Sequence, residues 1–409
     1  MRDRIIPLNK NFFELLSLIL CGLFCIKIQF YIISFTQLVY KQTKTIENLK
    51  RIGIICALWT ISLFFYHLVI YFTIDEVSPG TINFMQSAVT GVILGLLFGL
   101  INGFLEVFIF KQKFKRLRFG YAVIFKTGLF IVVFIVTVVA FLLIKNYSLV
   151  PIGIFDTPNT NEIPEFFRSK AFLKHGLFAI LLSFGINFFL QIDNKMGKNV
   201  LFNLFIGKFH RPRKQNKIIM FLDLISSTSI AEKIGDQKYS EFLKDFFFDL
   251  DEVISDTRGY VYQYIGDEVV VMWDIKEGTS DNNCIRCYYE SKKIFENKKE
   301  KYNKQYGLFP QFKAGIHLGE VVVTEVGGLK SEIAYHGDTI NTTSRLCLEA
   351  KNGNNNLLIS AELLSYLKYI DVNFRVESVG LIKFKGKQQD IAAFAVYAKS
   401  ERGSSTVLN

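Results

Sequence analysis

Four apolar stretches in the first half of the chain constrain its fold more than any other feature. They are Ile52–Ile74, Phe84–Phe110, Tyr121–Ile144 and Ala171–Ile192. Each stands out in a hydropathy window of about 19 residues. At about 1.5 Å per residue, each is long enough as a helix to cross a hydrocarbon core of roughly 30 Å. One such stretch reads equally as a buried core helix, but four in succession point to a multi-pass α-helical membrane domain. The 41 Phe against 7 Pro suit long, unbroken helices. A fifth stretch, Phe12–Phe35, is apolar but carries Glu14, Lys27 and Gln29. It is expected either to span or to lie along the inner surface.

The net charge of +11 would suit a nucleic-acid partner if it were gathered on one face. Instead the basic residues sit beside the apolar stretches. Lys41, Lys44, Lys50 and Arg51 precede the first. Lys111, Lys113, Lys115, Arg116 and Arg118 fill one connection, and Lys195, Lys198, Lys208, Arg211, Arg213 and Lys214 follow the last. The alternate connections, around Asp75–Glu76 and Asp156–Glu165, are acidic. Short basic loops stay cytoplasmic, so the C-terminal half is expected in the cytoplasm, attached to the inner (plasma) membrane. The expected partner of the excess charge is anionic lipid, not nucleic acid. No small-residue cleavage site marks a removable signal peptide.

The six cysteines fit a reducing compartment. Cys284-x-x-Cys287 is a lone pair inside a helical pattern, with no second pair to complete four ligands, so plain thiols are expected. His67 and His175 are the membrane histidines. They could pair on a haem or metal, but interfacial or bundle-satisfied roles are the expectation.

Beyond about Lys214 the pattern changes to short strand-length runs alternating with helical ones. Lys217–Asp223 reads as a buried strand ending in a carboxylate, and Ser226–Asp256 as a helix broken near Gly235. Tyr260–Ile265 and Glu268–Trp273 flank the turn dipeptide Gly266–Asp267 and read as a hairpin. A helix over Asn282–Lys304 follows, then strands at Gln311–His317 and Glu320–Val326, and a helix from about Asp338 to Ala350. Strands near Leu357–Ser360, Phe374–Phe384 and Ile391–Val396 close the chain. The organisation is therefore a membrane domain (1–193), a coupling segment (194–214), an α+β domain (215–399) and a tail (400–409).

Four places in the α+β domain carry chemistry. Asp223, at a strand end before Ser226-Ser227-Thr228, can hold a cation while helix N-terminal amides face phosphates. Gly266-Asp267 puts a second carboxylate at a hairpin tip. Asn341 and Arg345 stand at i, i+4 and share one helix face. Lys385-Gly386-Lys387 is a basic turn suited to a terminal phosphate.

Phe221–Thr228, Tyr264-Ile265-Gly266-Asp267 and His336–Arg345 together resemble the class III adenylate/guanylate cyclase catalytic domain, over about Lys214 to Lys399. The resemblance implies an α+β domain with a ferredoxin-like core. It implies Asp223, Asp267 and the Leu224 carbonyl as ligands of two Mg²⁺ or Mn²⁺ ions per site. Ser226, Ser227, Thr228 and Gly266 would face the nucleotide phosphates. Asn341 would orient the ribose, Arg345 would stabilise the transition state, and Lys385 or Lys387 would hold the triphosphate. The implied reaction is attack of the ribose 3′-oxygen on the α-phosphorus, with pyrophosphate leaving. A homodimer is implied, with the metals and the Asn/Arg pair of one site coming from different subunits.

Two positions depart from the family pattern. The purine-reading position four residues before the second Asp is Gln263, where adenylate cyclases usually carry Lys. Its partner position, three residues before Gly337, is Ala334. The usual guanylate pair of Glu and Cys is absent as well, so these positions leave the purine open. ATP is favoured on the family's base rate in bacteria-like membrane architectures, and GTP is the alternative. A membrane receptor with a non-catalytic cyclase-like module is a second reading. A transporter with a regulatory domain is a third, and it lacks paired mid-membrane acidic residues.

Overall fold

The computed structural model describes residues 45, 48–73, 83–110, 117–146, 168–197, 200–353, 355–383 and 390–399. The stretch Phe12–Phe35, the two acidic connections, Lys385 and Lys387 lie outside these residues. The chain divides into two compact units, Met1–Lys195 and Met196–Asn409.

The first unit holds four helices long and apolar enough to cross a membrane among the described residues. These are α1 (Asn48–Thr73), α2 (Phe84–Leu105), α3 (Phe119–Asn146) and α4 (Lys170–Met196). Helix α2 continues into a π-helical turn, Glu106–Phe110. In lipid there is little hydrophobic drive between helices, so close packing must hold them together. Gly91, Gly95, Gly99 and Gly103 recur every fourth residue on α2 and let it lie directly against α1. A Cβ at Gly95 would stand 2.4 Å from Thr60 Cα, and one at Gly99 2.6 Å from Cys56 Cα. Trp59 is buried at the bundle centre, stacked on Phe130 with ring centroids 4.5 Å apart.

Several polar side chains inside the bundle are paired. Lys126 of α3 meets Glu106 at 2.8 Å, both buried, and Arg51 of α1 reaches the same carboxylate at 3.5 Å. Gln191 of α4 accepts from Lys126 at 3.4 Å. Such charges are tolerated away from water only when matched in this way. The Tyr66 hydroxyl and His175 Nδ1 are hydrogen-bonded at 2.8 Å, so His175 is satisfied inside the bundle.

The second unit is an α+β domain. After a short helix, α5 (Val200–Phe205), comes strand β1 (Arg213–Leu224), then α6 (Ser227–Ile234) and α7 (Asp236–Asp256). The hairpin β2 (Tyr260–Ile265) and β3 (Glu268–Asp274) follows, then α8 (Ile275–Thr279), α9 (Asn283–Asn297) and α10 (Lys299–Tyr306). Next are β4 (Phe312–Val326), β5 (Glu332–His336) and α11 (Asp338–Asn352). The chain closes with β6 (Leu357–Ser360), α12 (Ala361–Tyr366), α13 (Ile370–Asn373), β7 (Phe374–Ile382) and β8 (Ile391–Ala398).

The sheet runs β2-β3-β1-β4-β6-β8-β7, with β5 on the outer part of β4. All pairings are antiparallel except β4 with β6. The β2-β3-β1-β4 portion, built from β1–helix–β2–β3–helix–β4, is a ferredoxin-like core. One face packs Ile218, Met220, Leu222 and Leu224 against Phe242, Phe246, Tyr288 and Phe295 of α7 and α9. The other packs Ile219, Phe221, Val270 and Met272 against Cys347 of α11. A central strand with helices on both sides reads as an unbroken apolar run, which is what KIIMFLDL is.

Several expected boundaries are corrected. Strand β1, expected from Lys217, starts at Arg213 and pairs there with Val323 of β4. The two strands expected at Gln311–His317 and Glu320–Val326 are one continuous 15-residue strand. Leu318-Gly319 looks like a turn in sequence, but β1 pairs straight through it. The helix expected over Asn282–Lys304 breaks at Lys298. Strand β5 was not anticipated, since its five residues lack a clear alternation. Cys284 and Cys287 are buried free thiols pushed up to about 12 by burial, and so inert.

Candidate active site

Asp223 stands near the end of β1, on the face that α11 covers. The register places Glu268 of β3 and Lys313 of β4 directly beside it, so one row of charged side chains crosses three strands. Gly266 has φ 62°, and this lets the β2–β3 hairpin turn tightly and present Asp267 at its tip. Asp267 lies close enough to Asp223 to disfavour its charged form, and Asp267 Oδ2 is buried without a hydrogen-bond partner. An orphaned carboxylate oxygen of this kind costs free energy unless a cation or donor meets it. Burial, joined by repulsion from Asp267, lifts the Asp223 carboxyl above the usual carboxylate range against the pull of Lys351. Glu268 is pushed up to about 7 by burial and by the charges of Asp223 and Asp267.

Leu224 follows with its side chain fully buried, and Ile225 N–H donates to the Gln311 carbonyl at 2.8 Å. This fixes the backbone from which α6 departs. Ser226 adopts φ 59°, ψ 33°, a left-handed conformation that a non-glycine residue adopts at a cost of roughly 1–2 kcal/mol. No side chain caps α6, so its first-turn amides are left for another acceptor. Tyr239 of α7 stands beside Ser227, and burial together with the charge of Asp267 raises its hydroxyl.

Asn341 and Arg345 project from α11, Asn341 into solvent and Arg345 partly exposed. The helix is seated by two glycines of β4. A Cβ at Gly315 would stand 2.3 Å from Cys347 N, and one at Gly319 2.5 Å from Thr339 Oγ1. Thr339 Oγ1 then donates to the Glu320 carbonyl at 2.6 Å. Gly337, at φ 142°, turns the chain from β5 into α11.

Gln263 is exposed on β2, beside a β-bulge, whereas Ala334 is buried on β5 opposite Thr324. The two strands are tied together, since Tyr335 N–H donates to the Tyr262 hydroxyl at 3.3 Å and the two rings meet edge-on. A cavity of about 700 Å³ in this unit is lined by Gln263, Tyr262, Ile333 and Tyr335 among others.

The fold therefore brings Asp223 and Asp267 together, and ties the strand of Gln263 to that of Ala334. Sequence reading missed Lys351, whose ammonium meets Asp223 Oδ2 at 2.6 Å, as well as Glu268 and Tyr239. Glu268 was detectable from the hairpin register, but nothing local to Lys351 or Tyr239 points to Asp223. Among the described residues no three His, Cys, Asp or Glu converge on a metal position. The chain thus offers two hard carboxylates and a backbone carbonyl, a partial shell of the kind Mg²⁺ or Mn²⁺ completes with phosphate oxygens and water.

Residues 209–397 match the profile of the adenylate and guanylate cyclase catalytic domain. These residues form a class III adenylate/guanylate cyclase catalytic domain. Adenylate cyclase 2 of Rhizobium meliloti (strain 1021) is 33% identical over 227 residues, covering 56% of this chain and 62% of that protein. Adenylate cyclase 1 of the same strain is 29% identical over 192 residues, 45% of this chain and 28% of that one. The chain thus spans less than two thirds of the length of either relative. A bacterial light-regulated adenylyl cyclase of known structure aligns with TM-score 0.46 at 18% identity, over 56% of this chain and 67% of that chain. In the cyclase domain, Asp223 and Asp267 flank the β1/β2–β3 end of the sheet while Asn341 and Arg345 ride on α11.

Proposed function

We propose that the chain is a membrane-anchored adenylate cyclase, converting ATP to cyclic AMP and pyrophosphate on the cytoplasmic side of the plasma membrane. The observation that carries this reading is the Asp223–Asp267 pair with its orphaned, buried Oδ2. Divalent cations bound there would lower the pKa of the ribose 3′-hydroxyl and offset the charge of the triphosphate. Asp223, Asp267 and the Leu224 carbonyl would hold them. The uncapped first turn of α6 and the Gly266 turn would accept the phosphates. Asn341 would hold the ribose in line, and Arg345 would oppose the charge that grows on the non-bridging oxygens.

The adenylate cyclase names of the first relatives support ATP. GTP is the alternative, because Gln263 can donate to or accept from either purine edge and buried Ala334 offers no side-chain hydrogen bond. Two subunits would complete each site, with metals from one and Asn341 and Arg345 from the other. The test is turnover by the purified chain, with ATP and GTP side by side in Mn²⁺ and in Mg²⁺. Cyclic AMP formed from ATP and abolished by Asp223→Asn supports the reading. No cyclic nucleotide from either substrate, or activity undiminished in EDTA, overturns it.

A further inference from the structure

Two lysines stand beside the Asp223 carboxylate, and they do different things. Lys313 lies next to Asp223 in the sheet register but turns away from it. Its ammonium donates to the carbonyls of Gly353 at 2.6 Å and Lys351 at 3.4 Å, satisfying the last carbonyls of α11. This clamps the helix end that carries Lys351. The Lys351 ammonium in turn reaches back to Asp223 Oδ2 at 2.6 Å. The Asp223 carboxylate is largely buried and the lysine side chain is about one-third exposed. Burial alone would weaken this ammonium, but the hydrogen bond and charge of Asp223 more than offset that and keep it protonated.

The carboxylate oxygen that Lys351 holds is one a metal would need, while the orphaned oxygen belongs to Asp267. The two carboxylates are therefore treated unequally. One is neutralised by the chain itself and the other is left open.

We infer that Lys351 is a tethered internal cation that competes with the divalent metal for Asp223, and so keeps the metal cradle poorly loaded until nucleotide arrives. The inference rests on the reading of Asp223 as a metal ligand. Lys351 acts through Asp223 and is a positioning residue. Whether the ammonium leaves Asp223 on metal binding or remains nearby, its positive charge opposes a divalent ion at the same carboxylate. Nucleotide phosphates, by supplying additional negative ligands, would shift the balance toward the metal.

The experiment is Mn²⁺ titration of the full chain in detergent, without nucleotide, with free Mn²⁺ read by electron paramagnetic resonance. Lys351→Met is expected to tighten Mn²⁺ binding about tenfold, and Lys351→Gln, a second neutral variant should the first fold poorly, to do the same. Lys351→Arg keeps the charge and is expected to match the wild type. Asp223→Asn is expected to abolish binding at this site. Neutral variants binding within threefold of wild type, while Asp223→Asn loses the site, would overturn the competition and leave the metal assignment standing. Lys351→Arg tightening as much as Lys351→Met would also overturn it, since charge would not be the cause. Undiminished binding by Asp223→Asn would overturn the metal assignment, and the inference with it.

Discussion

Tyr262 and Gln263 are consecutive on β2, yet both belong to the same face of the sheet. The β2–β3 register passes from Val261↔Val271 to Gln263↔Val270 and so skips Tyr262. Tyr262 packs into the cluster around Val270 on the α11 face, and Gln263 stands opposite Val270 itself. In a regular strand one of the two would point toward α7. Tyr264, the next residue, does so, with its ring against Phe247 and its hydroxyl on Asp251. A bulge re-aims a side chain in this way by opposing two residues to one.

On the function proposed, the bulge aims Gln263 toward the purine. Gln263→Lys combined with Ala334→Asp is expected to raise the ATP/GTP ratio of kcat/KM by on the order of tenfold or more. Ala334 is buried, so the new carboxylate is tolerated only with the lysine to pair it. Ala334→Asp alone should therefore lower thermal stability. A ratio unchanged in the double variant would show that neither position faces the base.

Chain complementation tests the shared-site dimer. Asp223→Ala and Arg345→Ala chains, each inactive alone, should regain activity when co-expressed and co-purified. Random pairing makes about half of the dimers mixed, each with one intact site, so turnover should approach about a quarter of wild type. No recovery from demonstrated mixed dimers would place all four groups within one subunit.

Gly315 sets how closely α11 approaches β4. Gly315→Ala forces a methyl to within 2.3 Å of a backbone nitrogen, which no rotamer change relieves. Overpacking of this kind costs about 1–3 kcal/mol. The helix carrying Asn341 and Arg345 must then shift, and kcat is expected to fall by about tenfold or more. Gly328→Ala meets nothing within 4 Å and serves as the neutral control. Calorimetric melting and steady-state turnover of both variants would check this.

Glu268 makes the metal-free domain sensitive to pH. Its carboxyl ordinarily titrates at 4.5 and is raised to about 7 in the fold. Between those values the folded chain holds a proton that the unfolded chain releases. Stability from this group is therefore full at low pH and is lost as pH rises through about 7. Glu268→Gln should raise the melting temperature in EDTA at pH 8, with the difference shrinking toward pH 5. A difference independent of pH would show that Glu268 does not titrate there.

The four apolar helices, the β1 run ending in Asp223, the Gly266-Asp267 turn and the Asn341/Arg345 face could all be read from the sequence. Each depends on local periodicity, or on a residue type that only one backbone geometry accommodates. What the sequence could not decide are the relations made by distant segments. The close contact of α2 with α1 follows from four glycines that matter only once Thr60 and Cys56 lie against them. The single long β4 follows from pairing with β1, which overrides the apparent break at Leu318-Gly319. Lys351 meets Asp223 across 128 residues of chain, a charge pair that no spacing rule encodes. Local chemistry fixed which groups are present. Long-range strand pairing and helix docking decided which carboxylate is neutralised and which is left open, because buried charge is stabilised only by the partner that the fold brings within reach.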